Sequence, residues 1–148
     1  MPANKIIKVH YCNEISRNHP IKQVEGSDWI DLYTSSDIEM CGGDYKLIPL
    51  GVCVKLPRGY EAIIAPRSST YKKWGLICAN SIGIIDNAYC GQNDEWHFPA
   101  ICLKASVTIP AGTRICQFRI IRNMPAFDTE PVEYLTDKNR GGFGSTGD

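Results

Sequence analysis

Val52-Cys53-Val54-Lys55-Leu56-Pro57-Arg58-Gly59 decides the class of fold. Val52, Val54 and Leu56 alternate with Cys53 and Lys55, the period-two pattern of a strand with one buried face. Pro57 and Gly59 then fill the second and fourth positions of a type I turn, where these residues are favoured. The device returns where Val107 to Ile109 is closed by Pro110-Ala111-Gly112, so both turns are expected to link hairpins. Ile6 to Tyr11 also alternates. Further strands are expected at Glu61 to Ala65, stopping at Pro66, and at Leu76 to Ala79. Others follow at Phe98 to Ala105, Arg114 to Arg122 and near Val132 to Tyr134. Cys41-Gly42-Gly43-Asp44 marks a turn. Ser68 to Trp74 is the one expected helical turn, with Ser68 or Ser69 as its N-cap. Short strands at close spacing with turn signals between them point to an all-β barrel or jelly roll. Nothing repeats at a fixed period and no linker divides the chain. Residues 1–148 therefore read as one domain, with a β core over 1–139 and a glycine-rich arm over 140–148.

Composition narrows the function classes. The 148 residues are 43% hydrophobic and 22% charged, which suits a globular domain rather than a disordered chain. Sixteen basic residues balance sixteen acidic ones, so the electrostatic footprint of a general nucleic-acid binder is missing. No apolar run approaches the roughly 18 residues of a membrane-spanning helix. Met1-Pro2-Ala3-Asn4-Lys5 leads into a strand without the apolar core of a signal peptide, and a cytoplasmic location is expected. None of the seven cysteines forms a Cys-x-x-Cys pair, so they are expected to be reduced, buried and small-hydrophobe-like. His10, His19 and His97 show no ligand spacing with them, and no zinc site is expected.

Several stretches carry chemistry. Gly83-Ile84-Ile85-Asp86-Asn87-Ala88-Tyr89-Cys90-Gly91 runs two β-branched residues into a carboxylate, a turn and a phenol. It reads either as a hairpin tip that activates water beside a sugar or base, or as an ordinary solvated turn. In Pro66-Arg67-Ser68-Ser69, a guanidinium and two hydroxyls meet at a strand end, as in a phosphate cradle; a helix cap with a surface arginine fits equally. Gln117 shares its strand face with Arg119, against Cys116 and Phe118, which marks a polar interior or plain solvent exposure. Asp31 is either the partner that holds Arg67 or a solvated acid. Asp94 and Glu95 read as a turn rather than a metal pair. Arg140-Gly141-Gly142-Phe143-Gly144-Ser145-Thr146-Gly147 has four glycines and cannot order without a partner. A lid that closes on ligand is preferred there to a frayed tail, because of Phe143.

Taken in order, five of these segments resemble the motifs of the trimeric deoxyuridine triphosphatases, the dUTPases. They are Asp31-Leu32-Tyr33 with Ser35, Pro66-Arg67-Ser68-Ser69, and Gly83-Ile84-Ile85-Asp86 with Tyr89 and Gly91. Arg114-Ile115-Cys116-Gln117 and the Arg140–Gly147 arm complete the set. The resemblance covers the chain from about Ser27 onward. It implies a jelly-roll homotrimer with three sites, each built from motifs on different subunits, that hydrolyses dUTP to dUMP and pyrophosphate with Mg²⁺. By that resemblance Asp86 deprotonates the attacking water, and Tyr89 packs under the deoxyribose and excludes a 2′-hydroxyl. Arg67, Ser68, Ser69, Gln117, Arg140, Ser145 and Thr146 hold phosphates. Phe143 stacks on uracil, and Asn80, Gly83 and Ile85 line the nucleoside. Asp31 supports the site. The magnesium rides on the triphosphate, with no ligand directly from the protein, and no nucleic-acid or membrane partner is implied.

Some positions depart from the family's pattern. Ala88 stands where a second Asp is common, Ser69 replaces a usual Gly, and Asp28-Trp29-Ile30 replaces Ala-Gly-Tyr. The Gln92–Phe98 segment is longer than usual, and Trp96 or Phe98 is a candidate to share the lid role. These features are similar to the divergent Gram-positive and phage branch. A dCTP deaminase of the same fold, using Glu95, is one rival, and a non-catalytic regulatory trimer with a protein partner is another. An oligonucleotide-binding barrel fits the topology but not the zero net charge.

Overall fold

The computed structural model of the chain describes residues 3–145 and residue 147. Its strands are β1 (Lys8–Tyr11), β2 (Ile30–Tyr33), β3 (Ile38–Cys41), β4 (Tyr45–Lys55), β5 (Tyr60–Pro66), β6 (Leu76–Cys78), β7 (Gly83–Ile85), β8 (Glu95–Cys102), β9 (Ser106–Ile109) and β10 (Arg114–Arg122). Two one-turn helices, α1 (Glu14–Asn18) and α2 (Thr70–Trp74), interrupt them. One sheet has the order β1-β4-β8-β6, a second β2-β10-β5-β7, and β3 pairs with β9 alone.

The sheets close on one core, in a jelly-roll-like β-barrel. Ile48, Leu50, Val52 and Val54 of β4 and Trp96, Phe98 and Ala100 of β8 share a cluster with Leu32, Ala62, Ile64, Cys116 and Phe118 of the second sheet. Trp96 meets Phe118 edge-on, with centroids 5.1 Å apart and planes at 88°, a favoured aromatic geometry that ties the two sheets. Burial of each such ring contributes roughly 1.5–3 kcal/mol. β4 bends where its register against β8 shifts between Pro49 and Cys53. Gly51 sits in that bulge at φ 68°, and a Cβ there would lie 2.6 Å from Ser16 Cβ and 2.7 Å from Ser35 Cβ. Only glycine meets both demands.

The alternation rule placed most strands, but the turns do different work from that expected. Pro57-Arg58-Gly59 leads from β4 in one sheet to β5 in the other, and Pro110-Ala111-Gly112 leads from β9 to β10. Neither closes a hairpin. A turn's residues fix a local reversal, whereas the partner of the next strand is set by which side of the core its apolar face must reach. The Gly83–Gly91 stretch is likewise no hairpin tip, because β7 pairs with β5 and not with β8.

The helix α1 is an addition. Asn13 caps it by accepting from the Ser16 amide at 2.9 Å, while Ser16 Oγ accepts from the Asn13 amide at 3.2 Å. Ser69 occupies the N-cap position of α2 but makes no side-chain cap hydrogen bond. The expected strand near Val132 forms no ladder, and all described residues from Arg122 onward are exposed. The cysteines are also less uniform than expected. Cys53, Cys78, Cys102 and Cys116 are buried, Cys90 is partly so, and Cys12 and Cys41 are exposed. Among the described residues, no helix is long and apolar enough to cross a membrane.

Candidate active site

The strand ends of the second sheet build one polar corner. Asp31 lies opposite Gln117 in the β2–β10 ladder, and Gln117 lies opposite Ala65 in the β10–β5 ladder. Cross-strand partners share a sheet face, so the carboxylate, the carboxamide and Arg67, two residues beyond Ala65, emerge on one side. Leu32, Cys116 and Phe118 point the other way, into the core. Arg67 Nε donates to Asp31 Oδ1 at 2.8 Å, and Arg114 Nη1 lies 3.5 Å from Asp31 Oδ2. Gln117 Nε2 donates to the Pro66 carbonyl at 3.0 Å. Arg67 Nη1 reaches Ser69 Oγ at 3.5 Å, while Ser68 is exposed beside it.

Under this corner sits Thr70, which sequence reading overlooked. Its buried hydroxyl accepts from the Arg67 amide at 2.8 Å and donates to the Ile115 carbonyl at 2.8 Å. One side chain thus welds the start of α2 to β10. A Thr at the first position of a short helix was the available signal, since its hydroxyl can serve backbone groups at a helix start.

Asp86 belongs to a second group. β7 runs antiparallel to β5 with Gly83 opposite Ile64 and Ile85 opposite Ala62. A Cβ on Gly83 would come 3.0 Å from Ile64 Cβ, so the glycine permits the close pairing. Asp86 follows, exposed, in a turn closed by the Tyr89 amide donating to the Asp86 carbonyl at 3.0 Å. Asn87, read in the sequence only as part of a turn, fixes it to the neighbouring strand ends. Its Nδ2 donates to the carbonyls of Pro57 and Tyr60 at 2.9 and 2.7 Å. Tyr89 is 39% exposed, and its hydroxyl donates to the Glu95 carbonyl at 3.0 Å. Burial, then the Asp94 carboxylate, push its phenol above the ordinary value, so it stays neutral.

The loop before β7 is strained. Ser81 has φ 63°, in the left-handed region, and the Ile82 amide donates to the Asn80 carbonyl at 2.7 Å. Such a conformation costs on the order of 1 kcal/mol or more. It turns the chain sharply between exposed Asn80 and half-buried Gly83.

Within one chain these groups are not all together. Continuing the β5–β7 register, Asp86 falls beside Glu61, six residues before Arg67, which is about 20 Å at the usual rise per strand residue. The arm forms a third fragment: Arg140, Phe143 and Ser145 are exposed, Phe143 at 114% of its reference area. Thr146 lies outside the described residues. Trp96 and Phe98 are 0% exposed and packed in the core, so neither can share a lid role. Glu95, on which a deaminase reading depends, commits Oε1 to the Gly51 amide at 2.9 Å. Asp94 accepts from the Gly91 amide at 2.8 Å, as a turn residue does.

Comparison with known proteins gives these fragments a common context. The dUTPase family model matches residues 17–147. The chain is 49% identical, over 95% of its length and 97% of the relative's, to the SPbeta prophage-derived deoxyuridine 5′-triphosphate nucleotidohydrolase of Bacillus subtilis. It is 38% identical to the deoxyuridine 5′-triphosphate nucleotidohydrolase of Finegoldia magna, covering 95% of this chain and 99% of that one. In fold it is similar to the Staphylococcus bacteriophage 80alpha dUTPase solved with dUPNHPP, with TM-score 0.78 and 18% identity over 97% of this chain and 99% of that one. The dUTPase of Streptococcus mutans gives TM-score 0.72 at 24% identity over 82% and 98% of the two chains. The chain belongs to the dUTPase family.

Proposed function

We propose that the protein hydrolyses dUTP to dUMP and pyrophosphate in the cytoplasm, as a homotrimer whose sites each draw on several subunits. One observation carries the multi-subunit reading. Arg67, Asp86 and Phe143 occupy three separate places on one chain, yet a phosphoryl-transfer site needs base, phosphate contacts and base-stacking group around one substrate. A closed symmetric assembly brings such separated patches together, each copy lending a different one. In this reading residues 1–139 form the core, and residues 140–148 form an arm that completes a site.

The roles follow from the chemistry of each group. The exposed Asp86 carboxylate accepts a proton from water as its oxygen attacks the α-phosphorus, and the bond to the bridging oxygen breaks to release pyrophosphate. Arg67, Ser68, Ser69 and Gln117 donate to phosphate oxygens, with Arg140, Ser145 and Thr146 adding contacts from the arm. Asp31 holds the Arg67 guanidinium in place by their 2.8 Å contact. Tyr89, pinned through Glu95, supports the deoxyribose and leaves no room for a 2′-hydroxyl. Asn80, Gly83 and Ile85 line the base, and Phe143 stacks on it.

Mg²⁺ fits this set of donors as a companion of the triphosphate. The corner offers cationic and neutral groups, and its Asp31 carboxylate is already engaged by Arg67 and Arg114, which suits an ion held chiefly by phosphate oxygens and water. When bound it withdraws charge from the phosphate oxygens.

Subunit mixing tests the reading. Asp86→Asn and Arg67→Ala proteins are each expected to be inactive on dUTP. Unfolded and refolded together in equal amounts, they should regain roughly a quarter of wild-type activity, because randomly assorted trimers carry intact composite sites. If the mixture stays as inactive as its components, each site lies within one chain and the assembly proposed here is wrong.

A further inference from the structure

Beside the Asp86–Asp94 loop lies a pair of thiols that dUTP hydrolysis does not use. Cys12 Sγ and Cys53 Sγ are 3.8 Å apart. The β1–β4 ladder holds them there: His10 pairs with Cys53, and the Cys12 amide donates to the Gly51 carbonyl at 2.8 Å. Cys12 is exposed, whereas Cys53 is buried at the base of a cleft of about 260 Å³. Lys8, His10, Lys55, Cys90 and Gln92 line the same cleft. Lys8 and Lys55 stand directly opposite each other across the ladder. Like charges so placed repel, and an anion between them relieves the repulsion.

We propose that Cys12 and Cys53 form a reversible dithiol–disulfide site whose co-reactant is a small anionic disulfide admitted by the Lys8–Lys55 cleft. The Cys53 thiolate attacks one sulfur of the incoming RSSR, the S–S bond breaks, and RS⁻ leaves to become RSH. The Cys12 thiolate then attacks the Cys53 sulfur of the mixed disulfide and expels the second RS⁻, which also takes a proton. The protein gives up two electrons and two protons, and RSSR takes them up as two RSH.

The order of attack follows from position. Cys53 lines the cleft, and exposed Cys12, outside that lining, lies with its sulfur 3.8 Å away. Partial desolvation of its sulfur and the contact with Cys53 push Cys12 up to about 12, and burial also raises Cys53. The hydrogen bond from Cys12 lowers Cys53, whereas burial and then Glu95 and Asp94 raise it. Disulfide formation also removes the contact from Cys53 Sγ to the Gln92 carbonyl, now 3.3 Å. That contact anchors the loop carrying Tyr89.

The test uses the reduced full-length protein and oxidised glutathione, and needs no dUTP. The expected product is lighter by two hydrogens, with two of the seven thiols lost to alkylation and a cross-linked peptide joining Cys12 to Cys53. Cys12→Ser should instead retain a glutathionyl adduct on Cys53. Cationic cystamine should react several-fold more slowly, and Lys55→Ala should narrow that gap. Amide exchange at Gln92 and Asn93 should quicken on oxidation and recover with dithiothreitol. If all seven thiols stay alkylable, or if only exposed Cys41 takes up glutathione, the site does not exist. If cystamine reacts as fast as oxidised glutathione, the cleft does not select an anion.

Discussion

At the Arg67 corner the polar groups are committed before any ligand arrives, whereas the described residues beyond Arg122 leave their side chains in solvent. Arg67 reaches Asp31 through its side chain and Thr70 through its amide, and Gln117 is tied to the Pro66 carbonyl. Met124, Phe127, Tyr134, Leu135 and Phe143 are all more than half exposed. The first region therefore meets a ligand with its side chains already ordered. The second must lose conformational freedom when it binds, at about 1–2 kcal/mol for each residue fixed. A rigid corner suits the discrimination of phosphate geometry, and a loose arm suits entry and release.

Asp86 stands between these extremes, exposed but held by the Asn87 carboxamide on two carbonyls. The largest effect is expected there. Asp86→Asn keeps the turn and the neutral shape but removes the proton acceptor, so kcat for dUTP should fall by at least about a hundredfold. Binding of a non-hydrolysable dUTP analogue should change little. An Asp86→Asn enzyme with normal kcat would mean that the base lies elsewhere, and the comparison would lose its middle term.

Truncation after Asn139 addresses the loose region directly. The arm's described residues are exposed, so its removal should leave the melting temperature unchanged. Turnover should nevertheless fall on the order of a hundredfold, because the substrate is no longer positioned from that side. Full activity in the truncated protein would reduce the arm to a solubilising tail.

The contrast also explains what could be read from sequence. The bounds of β10 and the site of α2 were legible because Arg114 to Arg122 is a mostly apolar run bounded by arginines, irregular only at Ile115-Cys116, and Ser68-Ser69 precede a short helical run. The Asp31–Arg67 contact was legible as one of two options, since an acid beside apolar Trp29 and Ile30 is a candidate partner for a guanidinium just past the end of β5. Strand partners were not legible. The β-branched Ile84 and Ile85 mark this stretch as extended, but nothing in those residues says that β5, not β8, receives them. Val132 to Tyr134 carries apolar residues yet finds no ladder within its own chain, since pattern registers a tendency and not an available edge. Trp96 misled for a related reason: it follows an acidic turn, but alternation along β8 points it inward onto Phe118. In α1 the capping residue at the third helical position is Ser16 rather than Glu or Gln, so the usual signature was absent.

The smallest expected effect separates ordering from charge at the rigid corner. Asp31→Asn keeps an acceptor for Arg67 Nε but removes the carboxylate that Arg67 and Arg114 share. Both partners of the 2.8 Å contact are about a quarter exposed, at 23% and 30%, so solvent screens the pair. After that discount the charge contributes about 1 kcal/mol, and kcat/KM for dUTP should drop roughly five-fold. The loss should fall mainly on KM, since Arg67 would still reach phosphate but from a less restricted set of positions. Added salt should shrink the difference between variant and wild type, because it screens what the wild type has and the variant lacks. A salt-independent loss of fifty-fold or more would instead mean that Asp31 touches the reacting groups, and the corner would then be part of the chemistry rather than its support.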